Sequence, residues 1–358
     1  MPVLTFSKER LLSLDAYRGL IMLTLISRGF GLGVLKDYPG WEWLARQVDH
    51  VDWQGVVFWD LIQPAFTFMV GIAMPLALER RKQQGAAFGE LFKHVAWRAF
   101  ALIVLSNVLS NFGSGAAYPK LQLINVLSQI AFGYLLCFFV LQLRFRLQVA
   151  AAVAMLGLHW GLFAAFPGPD GPFSKQGNIG AVIDLAVLGY NYSGYYTTLN
   201  FVGNAVTILF GCWCGLLFLE PVTDAVKLRI LTVCACAALI AGLALDPVNP
   251  MVKRLWTASF TLFSGGWVIA ILALLYWIVE ICNIRRWTFP VIVLGMNSLF
   301  IYSFSQVLYG WLDWGLAVFS MRLAFLGALG AIPQSLLVFA AMWYLCYWLY
   351  QRQIFFKL

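Results

Sequence analysis

Apolar runs of roughly twenty residues recur along the whole chain, and that is the length a helix needs to cross the hydrocarbon layer of a bilayer. They predict ten spans, at about 14–35, 56–79, 94–112, 121–142, 147–166, 197–219, 228–245, 257–282, 289–308 and 331–352. Residues 309–330 carry Trp311, Asp313 and Trp314 ahead of an apolar run broken at Pro333, and they read as an interfacial helix or an eleventh half-span. The fold class expected is all-α: a polytopic transmembrane bundle of about ten helices, with 1–358 as a single membrane domain.

Composition excludes a soluble chain. Hydrophobic residues make up 61% and charged residues 11% of 358, against roughly 45–50% and about 25% in soluble domains. The charge is unevenly distributed. Most of the 24 lysines and arginines fall in alternate polar segments, which hold Lys8 and Arg10, Arg80 to Lys82 with Lys93 and Arg98, Arg144 and Arg146, Lys227 and Arg229, Arg285 and Arg286, and Arg352 and Lys357. The positive-inside bias therefore predicts both termini on the cytoplasmic side. The net charge of +8 reads as topology, since no basic stripe with interleaved aromatics marks a nucleic-acid surface. Lys8 and Arg10 precede an apolar stretch too long for a signal-peptide core, with no small-residue cleavage site, so the first helix is expected to be retained. Tryptophans near span ends, such as Trp41, Trp59, Trp256 and Trp287, suit interfacial anchoring. The seven cysteines lie in apolar spans without His or carboxylate companions, which predicts packing or lipid contact and no metal site.

Ionisable and amide groups inside spans carry a desolvation cost and therefore draw functional interest. Asp15 and Arg18, at i and i+3, share a face of span one; a local ion pair or a binding role is consistent with the spacing. Arg28 lies deeper and is expected to snorkel or to pair with Asp60 or Asp52. Asp60, one turn into span two, is expected to point into the bundle. Asn107 and Asn111 close span three, Gln122, Asn125 and Gln129 open span four, and Asn200, Asn204, Asn297, Tyr302 and Gln306 sit in spans six and nine. Amides at such spacing serve either as interhelical glue or as the lining of a cavity for an uncharged, hydroxyl-rich ligand.

Two outer segments, about 36–55 and about 167–196, combine aromatics with carboxylates or amides, which fits a sugar-binding surface as well as an ordinary solvated loop. Of three histidines, His94 sits among cytoplasmic basic residues and His159 is mid-span beside Trp160, expected to be packed. His50 precedes span two, between Asp49 and Asp52 and close to Trp53. A neighbouring carboxylate fixes an imidazole tautomer and raises its basicity, which suits a general base.

The segments Ser13-Leu14-Asp15-Ala16-Tyr17-Arg18-Gly19, His50-Val51-Asp52-Trp53-Gln54-Gly55 and Asp60-Leu61-Ile62-Gln63-Pro64, the last followed by Phe68-Met69-Val70-Gly71, together resemble the heparan-α-glucosaminide N-acetyltransferase family and its bacterial relatives. Leu255-Trp256-Thr257-Ala258-Ser259-Phe260 with Gly265-Gly266-Trp267, and Gly295-Met296-Asn297-Ser298 with Tyr302, continue the match in order over nearly the whole chain. The resemblance implies acetyl transfer across a membrane, from cytosolic acetyl-CoA as co-substrate to the amine of a terminal glucosamine on the far side. It maps the catalytic histidine of an H-x-x-W-x-G segment onto His50, acting as base or as transient acetyl carrier. Asp52 or Asp49 is expected to orient it. Asp15, Arg18, Arg28, Trp53, Asp60, Asn107, Asn125, Gln129, Asn297 and Tyr302 are the expected substrate- and donor-binding residues.

Two positions depart from the family pattern. Ser128-Gln129 stands where members often carry Gln-Arg, and Ser27-Arg28-Gly29 where the animal enzymes place a polar Asn, so acetyl-CoA rests on the resemblance alone. The expected partners are the lipid bilayer and an amino sugar or glycan terminus, with a homodimer left open. The resemblance points to the bacterial inner membrane. Some bacterial relatives are associated with N-acetylglucosamine use, which keeps an inner-membrane permease for that sugar as the rival reading.

Overall fold

The computed structural model describes residues 11–112 and 119–356, and for 321–324 the backbone only. The expected cytoplasmic residues Lys8, Arg10 and Lys357, and the side chain of Arg322, lie outside what is described. The helices are α1 (Leu12–Ser27), α2 (Glu42–Gln47), α3 (Ile62–Gln83), α4 (Phe88–Asn111), α5 (Val126–Val140), α6 (Phe145–Ala165), α7 (Ile179–Leu188), α8 (Phe201–Leu219), α9 (Asp224–Leu245), α10 (Ala258–Tyr276), α11 (Thr288–Met296), α12 (Ser298–Ser320) and α13 (Ala331–Gln351). No β-strand occurs among the described residues. Among the described residues, eight helical segments are long and apolar enough to cross a membrane, and α11 with α12, bent by 76°, makes a ninth if the pair is one span.

Each predicted span has a helical counterpart, and the chain is an all-α integral membrane protein. Trp97, Phe100, Val153, Leu158, Ile240 and Leu243 are exposed on α4, α6 and α9; side chains this apolar require a lipid solvent. The fourth span is shorter than its apolar run suggests. Residues 119–125 are not helical, because Asn111 Oδ1 accepts from the Lys120 amide and Asn107 Oδ1 from the Gln122 amide (2.9 and 2.7 Å). Asn125 then caps α5 by accepting from the Leu127 amide. Residues 309–330 do not form a separate helix. α12 runs on to Ser320 and is followed by a 3-10 segment, Met321–Gly330.

The chain forms two compact units. In the unit holding 35–112, 119–222 and 233–268, α3 packs on α8 and α8 on α5. A Cβ on Gly71 would collide with the Ile208 carbonyl, and one on Gly211 with the Phe68 carbonyl, so glycine lets the two backbones touch. Met74, Leu78, Leu91, Val95, Tyr134, Phe138, Ile208 and Leu209 fill the core beside this crossing. In the unit holding 11–34, 223–232 and 269–356, α1 packs on α11 around Leu12, Ala16, Val279, Val291 and Ile292. The first turn of α1 is secured there by Glu280, which accepts from the Ser13 amide (2.9 Å).

Candidate active site

The segment between α2 and α3 is a loop, 48–57, followed by a 3-10 turn over Phe58–Leu61. Gly55 takes φ +103°, a conformation that residues with a Cβ rarely adopt, and its amide donates to the Met251 carbonyl at 2.9 Å. That bond ties the loop to the 246–257 turn between α9 and α10. The turn is held from within: Asp246 accepts from the Met251 amide, Asn249 from the Ser259 amide, and Thr257 Oγ1 accepts from the Val252 amide while donating to the Pro250 carbonyl. Trp256, fully buried with φ +54°, donates from Nε1 to Thr207 Oγ1 (3.2 Å) and so pins the turn to α8.

These constraints bring His50, Asp60 and Lys253 together. His50 Nδ1 lies 2.7 Å from Asp60 Oδ1, and Lys253 Nζ lies 3.3 Å from the same oxygen and 3.2 Å from His50 Nδ1. A carboxylate only accepts and an ammonium only donates. The two distances to Oδ1 are satisfied when Nδ1–H and Lys253 both donate to it; the 3.2 Å approach of Lys253 Nζ to Nδ1 is then a contact between two donors and not a hydrogen bond. That assignment leaves the Nε2 lone pair of His50 free. Asp60 Oδ2 accepts from the Val57 and Val51 amides (3.3 and 3.5 Å). The His50 side chain is 42% exposed and that of Asp60 1%, so a buried carboxylate orients a ring that a substrate can reach. Burial pushes the Lys253 ammonium below its ordinary pKa, with Asp60 opposing the shift.

The two expected orienting carboxylates do not perform that role. Asp49 Oδ1 turns back to accept from the His50 backbone amide (2.7 Å). Asp52 projects outward, where Lys175 pairs with it at 2.7 Å and holds its carboxyl below the usual carboxylate range. Adjacency in sequence is overridden because the loop points their side chains away from the ring, while the 3-10 turn presents Asp60 to it. Trp53 is fixed by its own donor, Nε1 to the Phe173 carbonyl at 2.8 Å, and meets Tyr195 edge-on (6.4 Å between centroids).

The chain aligns over 98% of its length with two curated proteins, heparan-alpha-glucosaminide N-acetyltransferase of Homo sapiens (24% identity) and of Mus musculus (23%). It is related to that acetyltransferase family. The alignment takes in 60% and 61% of the two relatives, so the chain spans about three fifths of their length. No protein-family model matches.

The amides of α4 and α5 bond to their own neighbourhood, although Gln129 Oε1 is buried without a hydrogen-bond partner among the described residues. Asn107 and Asn111 hold residues 119–125, Asn125 caps α5 and donates to Ser110 Oγ, and Gln129 Nε2 donates to the Leu123 carbonyl. Ser128 Oγ donates to the Gln122 carbonyl and lies 2.8 Å from Ser106 Oγ, whose hydroxyl can donate to it. Both amide ends of Asn200, at the N-terminal end of α8, and of Asn204 on α8 are buried without a hydrogen-bond partner among the described residues. In the other unit, Asn297 fastens the C-terminal segment, donating to the Ile354 carbonyl and accepting from the Phe356 amide. Tyr302 is buried on α12, and Asp15 and Arg18 lie on α1. Arg28 lies over the Tyr309 ring, 3.8 Å from its centroid, a cation–π contact. The residue that sequence reasoning missed is Lys253. Its only signal is its place two residues before the Leu255-Trp256-Thr257 segment.

Proposed function

We propose that the chain is an N-acetyltransferase of the bacterial inner membrane, carrying an acetyl group from cytosolic acetyl-CoA to the amine of a glucosamine-type sugar on the outer face. The observation that carries this reading is the convergence of His50, Asp60 and Lys253, in a chain whose relatives bear the name of such a transferase. The expected orientation, with the 36–55 segment outside, agrees with an acceptor arriving there.

The chemistry follows from the free Nε2. In direct transfer, the sugar amine attacks the thioester carbonyl, the C–S bond breaks, and Nε2 takes the proton the nitrogen sheds. That proton then neutralises the departing thiolate. In the two-step form, Nε2 itself attacks and thiolate leaves; the amine then displaces the imidazole from the acetyl carbon, and the freed Nε2 takes the proton the nitrogen sheds and passes it to the thiolate or to water. Either way the ring gains positive charge, and Asp60 is placed to stabilise it. Lys253 Nζ, 3.3 Å from Asp60 Oδ1, offsets part of the cost of burying that carboxylate. The donor is written as a substrate. Buried Ser128 and Gln129 offer no cation for its phosphates, so acetyl-CoA itself is inferred from the family.

Purified protein in detergent, given labelled acetyl-CoA and glucosamine, is expected to yield N-acetylglucosamine, and His50→Ala to abolish it. Label retained on the protein before acceptor is added, and lost in His50→Ala, would identify the acetyl carrier. A permease for N-acetylglucosamine draws support from the 76° break between α11 and α12 and from the unpartnered Asn200 and Asn204. Sugar uptake into proteoliposomes regardless of residue 50, with no acetylation, would establish it and end the transferase reading.

A further inference from the structure

A cavity of about 360 Å³ opens beside the histidine loop, walled by Tyr192, Tyr195 and Tyr196 and edged by Asn191, Gln176 and Lys175. Its volume falls in the lower part of the range for small-ligand sites. Tyr192 is fixed: its hydroxyl accepts from the Leu123 amide and bonds Thr198 Oγ1 (3.3 and 3.1 Å). Gly194 and Tyr195 both take left-handed φ, +75° and +62°, and this kink places three rings of one short turn around the cavity.

Three links join the cavity to the loop that carries His50. Lys175 pairs with Asp52, Tyr195 meets Trp53 edge-on, and Arg254, next to Lys253, lies 5.7 Å from the Tyr196 ring centroid and 6.0 Å from that of Trp53. The residues that touch the cavity's lining thus lie two and three places after His50 and one place after Lys253. A pyranose has apolar C–H faces and a rim of hydroxyls. Tyrosine rings suit the faces, while the Asn191 and Gln176 amides and the Lys175 ammonium suit the rim. A planar acyl or nucleotide group would leave these amides less well matched and would find no phosphate cradle of backbone amides.

We infer that this cavity is the sugar subsite of the protein, seating a hexopyranose ring of the acceptor while its amine is presented toward His50. The inference rests on the transferase reading for the direction of the amine, and on the cavity alone for the sugar. Tyr195 is the ring-stacking residue and Asn191 a hydroxyl-binding residue.

Two readouts test it. In steady-state kinetics, Tyr195→Ala and Asn191→Ala are expected to raise KM for glucosamine about tenfold while kcat and the KM for acetyl-CoA stay near the wild-type values, the pattern of lost uniform binding. Tyr195→Phe, which keeps the ring, should restore the acceptor KM. Saturation-transfer NMR with glucosamine on the His50→Ala protein reads binding without turnover; it should show transfer to the sugar ring protons, lost in His50→Ala/Tyr195→Ala. If transfer persists unchanged in the double variant, or acceptor KM is unmoved by both substitutions in active enzyme, the subsite assignment is overturned although the transferase stands. If the wild type acetylates nothing while Tyr195-dependent sugar binding is seen, the function fails and the subsite stands.

Discussion

His50 Nδ1 and Asp60 Oδ1 lie 2.7 Å apart, joined across a ten-residue loop by a carboxylate that is almost wholly buried while the imidazole it holds is 42% exposed. A buried carboxylate facing an accessible ring sets the tautomer and lowers the cost of charging the ring during reaction. Asp49 and Asp52 are nearer in sequence, but neither side chain reaches the ring. Asp60→Asn is expected to lower kcat about 10²- to 10⁴-fold, because the amide can present its N–H to Nδ1 and so favour the wrong tautomer. Asp49→Asn and Asp52→Asn should change kcat little. Both Asp60→Asn and Asp60→Ala remove the counter-ion of Lys253, at a typical cost of about 3–5 kcal/mol, but Asn is preferable because it keeps the shape and polar atoms of the side chain. Rates of acetyl transfer for the three Asn variants, with folded yield as control, check the ranking.

How legible this was depended on whether a local pattern carried the information. A span announces itself because a bilayer demands about twenty apolar residues in a row, and all ten predicted spans have helical counterparts. The late start of α5 was hidden, because 121–125 is apolar enough for a helix but is held extended by Asn107 and Asn111 from α4. The continuation of α12 past residue 308 was likewise hidden by the bend after Met296, which no proline announces. In the site, His50 could be read from its motif and Asp60 from its charge within a span. Their pairing could not, because it depends on how Gly55 and the 3-10 turn fold the loop. Lys253 was beyond reach: its bond to Asp60 spans 193 positions.

Lys253 gives the site a pH signature. Burial holds its folded-state pKa below the ordinary 10.5, so in the window between the depressed value and 10.5 the unfolded chain binds more protons than the folded one. Stability therefore rises with pH through that window, and the contribution is lost again as pH falls through the folded pKa. Thermal unfolding in detergent should show this rise in wild type and not in Lys253→Met. Activity should move the other way. Loss of the proton removes the positive charge that holds Asp60 Oδ1 in place beside His50, so the rate should fall on an alkaline limb below pH 10.5. Lys253→Arg should move that limb upward, since a guanidinium stays charged. A limb unchanged in Lys253→Arg would show that another group titrates there.

Gly55 separates backbone strain from packing. No atom lies within 4 Å of where its Cβ would be, so Gly55→Ala introduces no collision and acts only through φ +103°. The expected destabilisation is of order 1–3 kcal/mol if the conformation is kept. The alternative is for the loop to relax and release the amide from the Met251 carbonyl, misplacing His50 relative to Lys253. The two outcomes are distinguishable. Strain alone lowers the melting temperature with kcat near wild type at permissive temperature, whereas relaxation lowers kcat at every temperature.

The crossing of α3 and α8 is the place where a small change should be felt furthest. Gly71 and Gly211 face the carbonyls of Ile208 and Phe68 so closely that even a methyl group meets backbone, and backbone cannot rotate aside as a side chain can. Gly211→Ala must therefore push the helices apart, opening the packed layer of Met74, Ile208 and Leu209. In lipid, association of helices depends on such close packing more than on apolar burial, which the acyl chains already satisfy. α8 also carries Thr207, the acceptor that holds Trp256 and with it the turn bearing Lys253. Displacement of α8 should thus reach the site through that bond. Gly211→Ala is expected to reduce both melting temperature and kcat, whereas Gly161→Ala, at a position open for 4 Å around, should leave both unchanged. Parallel melting curves and transfer rates for the two variants decide whether the crossing positions the site or merely supports the fold.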